Sequence, residues 1–232
     1  MLDVRMMPYR LRDDLSFCQV GDRLIFLDIE HDRYFRLPAA EERTFTAYLE
    51  RGADQDVDVG DLIERSILVE AHPSGGGVPT SDIRGPTRSA VEQTLSARRV
   101  PFPVLLEVFA NVCSIRLQLR RRRLKRILDR LIAYRQKRAS SAGPDATAQH
   151  EQPLANLAAM FRRARPYVPV ETSCLLDSIA LVRFLARRGL HASIVFGVTS
   201  EPFAAHCWVQ VGDLVLNDTV GNANAHTPIR VV

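Results

Sequence analysis

Between residues 72 and 89 the chain reads HPSGGGVPTSDIRGPTRS, where Gly, Pro and Ser break any periodic apolar pattern. Such a run has no face to bury, so it divides the 232-residue chain instead of folding through it. Charge divides at the same place. Residues 1–70 hold nine Arg, no Lys and 16 Asp and Glu, a net −7; the remainder hold 22 basic and 11 acidic side chains, a net +11. Such asymmetry points to two units with different partners. The boundaries that follow are a first domain over 1–71, a linker over 72–100 and a second domain over 101–232.

Composition narrows the class. A hydrophobic share of 46% with 25% charged residues is that of a globular chain with a core. No apolar run reaches the roughly 18 residues of a membrane span, and MLDVRMMPYR lacks the apolar stretch of a secretory signal. The four cysteines form no CxxC pair, which suits a reducing compartment. A cytoplasmic location is the expectation, without a membrane partner.

The first unit opens with two short apolar strands, LSFCQV and RLIFLDI, joined by Gly21-Asp22, a hairpin-type pair. RYFRL reads as a third strand, closed by Pro38. AAEERTFTAYLERG reads as a helix ending at Gly52, and VGDLIERS as a second. Strands followed by helices in so short a segment imply a small winged-helix-like module. The second unit begins with helix. VPFPVLLEVFANVCSIRLQL runs on into RRRRLKRILDRLIAYRQKR, with an apolar stripe at Leu119, Leu124, Ile127, Leu128 and Leu131. ASSAGPDATAQHEQP reads as a loop. Helices, buried strands (ASIVFGVT, CWVQV) and a hairpin follow, so the whole chain reads as α+β.

Three residues invite chemistry: Cys174, His206 and Asp218. A cysteine in an apolar helix is usually core filling. Cys174, however, follows Thr172 and Ser173, which are N-cap types, and so falls in the first helical turn. There the unpaired amides and the helix dipole favour a thiolate, and the same amides can hold an oxyanion. His206 can shuttle the proton and Asp218 can orient the imidazole. Strand alternation then sets a condition. A two-residue turn at Gly212-Asp213 pairs Val211 with Leu214 and sends Asp218 to the face opposite His206. A bulge or odd-length loop near Gly212 is therefore expected, with Trp208 beside His206 and the Cys207 thiol pointing away.

The stretch CLLDSIALVRFLARRGLHASIVFGVTSEPFAAHCWVQVGDLVLNDT resembles the C-terminal domain of lasso peptide B proteins, the leader peptidases of lasso peptide maturation. The likeness rests on the Cys-Leu helix start, the Arg-Arg-Gly helix end, FGV, PFAAHCWV and the terminal Asn-Asp. Cys207 departs from it, since a small residue such as Ala is expected between His and Trp. The resemblance implies a papain/transglutaminase-like fold and a catalytic triad of Cys174, His206 and Asp218. LIFLDIEHDRYFRLP resembles the strand region of a RiPP recognition element, the domain that binds leader peptides of ribosomal natural products. That implies a leader added as an extra strand beside Arg33–Leu37 and packed against a helix over Val59–Arg65, with Arg33, Tyr34, Phe35 and Leu62 as contacts.

The same resemblance implies a lasso precursor with Thr at the penultimate leader position. It also implies an asparagine-synthetase-like cyclase that consumes ATP, while this chain binds no cofactor of its own. Other readings stay open. An acyltransferase would use the same thioester with a different acceptor. A leader-binding or DNA-binding scaffold would carry a dead triad. The run Arg120–Arg126 fits nucleic acid, an anionic surface, the cyclase or merely solvent; the acidic first unit argues against nucleic acid as a partner. Zinc held by Cys174, His206, Cys207 and His226 is disfavoured, because neighbours on a strand face opposite ways.

Overall fold

The computed structural model describes residues 8–51, 57–71, 84–93, 99–139 and 151–232. Two compact units emerge, Met1–Asp82 and Ile83–Val232. Much of the expected linker, 72–83 and 94–98, lies outside the described residues, as does 140–150 of the expected loop. Residues 84–93 do not behave as linker. They carry a short strand of the second unit's sheet, because Ala90 and Ser89 lie against Val215 and are buried there.

In the first unit, β1 (Tyr9–Leu11) precedes an antiparallel sheet of β2 (Leu15–Val20), β3 (Arg23–Asp28) and β4 (Arg33–Phe35), in that spatial order. The β2–β3 turn is the expected two-residue one. Val20 pairs with Arg23, and Gly21 takes φ +60, which a residue without Cβ adopts freely. Helices α1 (Ala39–Arg51) and α2 (Gly60–Glu64) follow, then β5 (Leu68–Glu70), which pairs with β1 in a ribbon the sequence pattern did not suggest. Tyr48 ties this ribbon to α1: its hydroxyl accepts from the Tyr9 amide at 3.0 Å and donates to the Tyr9 carbonyl at 2.9 Å.

The core is aromatic. Phe26 and Phe45 are fully buried, and Phe17 and Phe35 stack around them at 5.1–5.7 Å between ring centroids. Burying each such ring contributes about 2–3 kcal/mol. Glu42 pins α1 to the sheet by accepting the Leu24 amide at 2.7 Å. Leu62 belongs to this core and is completely buried, so it cannot be a leader contact as expected; it is the inward anchor of α2. Phe35 likewise turns its ring onto Phe26. Arg33 is exposed with its guanidinium 5.3 Å from the Phe35 ring centroid, and Tyr34 is half-buried. Among the described residues no strand pairs with the outer edge of β4.

In the second unit, β6 (Arg88–Ser89) is followed by α3 (Phe102–Arg121), α4 (Leu124–Ala139), α5 (Glu151–Ala164) and a 3-10 turn (Arg165–Tyr167). Helix α6 (Cys174–Ala186) comes next, then β7 (Ser193–Ser200), β8 (Phe203–Val211), β9 (Leu214–Val215), α7 (Val220–Asn224) and β10 (Thr227–Val231). The basic run does not continue one helix. Arg122 is extended at φ −137 and ψ 151, so the chain turns there, which lets Leu124, Ile127, Leu128 and Leu131 be buried on the near side of α4. Arg120 to Arg123 are exposed at this corner. Helix α3 also corrects the expectation about apolar runs. Over an 18-residue window its mean hydropathy is 1.4 with 22% of the window buried, long and apolar enough by length and composition to cross a membrane.

The sheet order is β10-β7-β8-β9-β6, antiparallel except for β6 with β9. Helix α6 is buried over most of its circumference, as an interior helix with a nearly all-apolar sequence must be. It packs on β8 and β7, with α3, α4 and α5 around it. The other side of the sheet holds a small core of Val195, Trp208, Val215 and Ala223.

Candidate active site

Ser173 caps α6, its hydroxyl accepting from the Leu176 amide at 3.3 Å, so Cys174 is the first helical residue. The approach to it is held by Arg165, which is 6% exposed. This guanidinium bonds Asp177 in the first turn at 2.6 Å and the carbonyls of Val170 and Glu171 at 2.9 and 3.1 Å. A buried arginine satisfied in this way clamps the residues leading to the thiol. Nothing in the sequence marked Arg165 out from Arg162 and Arg163, the basic residues at the end of α5.

His206 lies on β8, paired with Gly197 of β7. A Cβ on Gly197 would lie 2.8 Å from the Trp208 ring and 3.0 Å from His226, so only glycine lets the indole close over that position. Trp208 is fully buried, its ring centroid 6.1 Å from that of His206, and the His226 ring stands 5.1 Å away on the imidazole. The imidazole is thus set by packing before any polar partner acts. The glycine belongs to the FGV stretch of the resemblance, yet its role rests on a three-dimensional overlap with Trp208 and His226.

Asp218 meets His206 at 2.6 Å between Oδ2 and Nε2. Its other oxygen accepts the Thr219 amide at 2.8 Å, and Asn222 donates to Oδ2 at 2.8 Å. The expected bulge is absent. Gln210 pairs with Val215 and Val211 with Leu214 across a two-residue turn, with Gly212 at φ +57. Alternation fails because the ladder ends early. The Leu216 amide still reaches the Val209 carbonyl, but the Val209 amide is taken by the Asn217 side chain at 2.7 Å. From Asn217 the backbone leaves the strand, and the face of Asp218 no longer follows from its parity.

That early end also opens the edge of β8. Alternate amides point to this edge: after Val209 comes Cys207, which lines one cavity with Cys174. His206 and Asp218 line the same cavity. Since Asp218 occupies Nε2, Nδ1 is the imidazole nitrogen left for the thiol. The Cys207 thiol does not point away from the site. It is buried toward α6, 3.9 Å from the Ser178 hydroxyl, and lines one cavity with Cys174. Alternation correctly separates Cys207 from Trp208, but the face it chooses is the one from which Cys174 approaches. Among the described residues, no three His, Cys, Asp or Glu side chains are arranged as a metal site.

The electrostatics favour an ion pair. The Cys207 thiol, His206 and the Cys207 amide bring Cys174 down to about 4 against the opposing effect of burial. Asp218 and Cys174 raise His206 to about 9. Burial pushes the Asp218 carboxyl up, but His206, the Thr219 amide and Asn222 outweigh it and hold the group below its ordinary value. The contact with Cys174, together with burial, drives the Cys207 thiol upward, so it stays protonated and donates. Thiolate and imidazolium therefore coexist over the interval between about 4 and 9. Beside them opens a cavity of about 420 Å³, walled by Ala158 and Phe161 of α5, Leu181 of α6 and Thr172. An acidic nucleophile, an oriented acid and an apolar cleft are the parts of acyl-transfer chemistry.

The profile of the transglutaminase-like superfamily matches residues 111–231, and the chain belongs to that superfamily. It is also 46% identical over 48 residues to the microcin J25-processing protein McjB of Escherichia coli, a match covering 21% of this chain and 23% of that protein. The aligned part is thus about a quarter of that relative's length. Together the two matches support the resemblance to lasso peptide B proteins. No solved structure matches the chain.

Proposed function

We propose that the chain is the leader peptidase of a lasso peptide pathway, with Cys174, His206 and Asp218 as its catalytic triad. The His206–Asp218 pair at 2.6 Å, on a cavity that Cys174 also lines from its helix start, carries this reading. The likeness to a lasso peptide-processing protein directs it toward a precursor peptide.

The thiolate attacks the carbonyl of the last leader residue, whose oxyanion falls near the amides of the first turn of α6. His206 gives its proton to the departing amine of the core peptide. Asp218 keeps the imidazole oriented and stabilises its charge. Water, deprotonated by the now neutral His206, then attacks the thioester and releases the leader. The first unit holds the leader along the outer edge of β4, with Arg33 and Tyr34 on that strand, so that cleavage becomes effectively intramolecular. The partners of this reading are the precursor and an ATP-using cyclase that closes the liberated core; the setting is the cytoplasm.

The test is incubation with the precursor encoded beside the gene, with and without the cyclase, followed by mass spectrometry. Free leader with a carboxylate end supports the peptidase. A leader joined to an amine would show an acyltransferase instead, and intact precursor under both conditions would leave only a scaffold.

A further inference from the structure

On the side of α6 away from the cleft lies a second cavity, of about 260 Å³. Its floor is aliphatic: Ile115 of α3, Ile127 and Leu131 of α4 and Ile179 of α6, all buried. Its rim carries Arg130, Arg183 and Arg187, and no Asp or Glu lines it. Arg183 and Ile179 face this cavity, while Asp177 and Leu181 of the same helix face the cleft.

Three guanidiniums line the cavity with no acid among its lining residues. Arg183 is half-buried, and its Nη1 donates to the Ser114 hydroxyl at 3.2 Å, a neutral acceptor. Burial, then the charge of Arg187, depress its basicity. Arg187 reaches Glu107 only at 3.5 Å, and that carboxylate is engaged more closely by Arg188 at 2.5 Å. Arg130 is exposed. A desolvated cation facing like charges is stabilised when an anion joins it.

We infer that this cavity binds a small organic phosphate, with the phosphoryl group on Arg130, Arg183 and Arg187 and the organic part on the aliphatic floor. The charge selects phosphate over a single carboxylate, because a dianion matches three guanidiniums more closely. Forked N–H groups also suit its oxygens. The floor selects an ester over the free ion, since an organic group can pack on the aliphatic lining that inorganic phosphate would not use. The volume is below the roughly 300–1,000 Å³ of drug-sized sites, which limits the guest to one small molecule such as a nucleoside monophosphate.

The probe is adenosine monophosphate, titrated calorimetrically into the full chain at low salt, with adenosine and inorganic phosphate as its two halves. The expected result is one saturable site, binding the monophosphate more tightly than either half. Arg183→Gln and Arg130→Gln should each weaken it by roughly ten- to hundredfold, the effect of one lost charge-assisted hydrogen bond. Arg130 is exposed, so its variant keeps the test valid should Arg183→Gln not fold. Alkylation of Cys174 should proceed at the same rate with the site filled, because the cleft lies on the other side of α6. No saturable binding, equal binding of adenosine alone, or full affinity in Arg130→Gln would overturn the proposal.

Discussion

His206 and Asp218 meet at 2.6 Å although no position of the β8–β9 ladder pairs them. Continued as a regular antiparallel pair, the hairpin would set His206 against Thr219 and turn the carboxylate to the other face. The contact exists because Asn217 replaces a backbone partner with its side chain and releases the chain from the strand. The same amide donates from Nδ2 to Ser178 at 3.0 Å, fastening the release point to α6. Replacing Asn217 with Ala should therefore weaken the His206–Asp218 contact without touching either residue. A fall in cleavage rate together with a lowered imidazole pKa by NMR is the expected outcome; unchanged titration would show the release point to be independent of Asn217.

Asp218→Asn should lower the cleavage rate by roughly 10²–10⁴-fold, the span of general acid–base contributions, while the protein stays folded. The imidazolium loses the carboxylate that raises it to about 9, so the alkaline limb of the rate profile should move down toward the ordinary histidine range. A limb still near 9 would mean that Asp218 does not set the acidity of His206.

The pH profile of the wild-type protein follows from the two shifts. Below about 4 Cys174 gains a proton and the nucleophile is lost; above about 9 His206 loses the proton it must give the leaving amine. Activity should rise through the first value and fall through the second, a bell centred between them. Alkylation by iodoacetamide reports only the first event, so its rate should already be near its plateau at pH 6. An alkylation midpoint near 9 would rule out the ion pair.

Cys207→Ala removes the thiol that does most to lower Cys174 but leaves the backbone amide and His206 in place. The alkylation midpoint of Cys174 should move up from about 4, with cleavage at neutral pH largely preserved because His206 still supports the thiolate. Loss of cleavage equal to that of Cys174→Ala would assign Cys207 a chemical role beyond this contact. Cys174→Ala itself should leave leader affinity nearly unchanged, since β4 belongs to the other compact unit.

Gly197→Ala should destabilise the second unit by about 1–3 kcal/mol, the cost of forcing a methyl into a filled site. The added Cβ would lie 2.8 Å from the indole of Trp208, the sole tryptophan, so its fluorescence reports the displacement directly. Stability and emission like those of the wild type would show that the ring gives way without strain.

The sequence by itself determined every element whose signal is local. The Thr-Ser cap types before an apolar run put Cys174 in the first turn of α6, and Gly21-Asp22 made the first hairpin. It also determined, through composition and charge, that the chain would divide, and through alternation that Cys207 and Trp208 would face opposite ways. Tertiary structure decided how far each local rule runs. The basic run broke at Arg122 because the apolar side of α4 had to be buried, with neither Gly nor Pro to announce it. Leu62 went into the core because α2 is amphipathic and its apolar side had a sheet to cover. Around the thiol the decision was sharper. Alternation is a property of a paired strand, and β8 has lost its β9 partner before it reaches His206, where Asp218 approaches. A strand that stops two residues after its turn leaves no pattern in the sequence, because the side chain that ends it, Asn217, acts on an amide eight residues away.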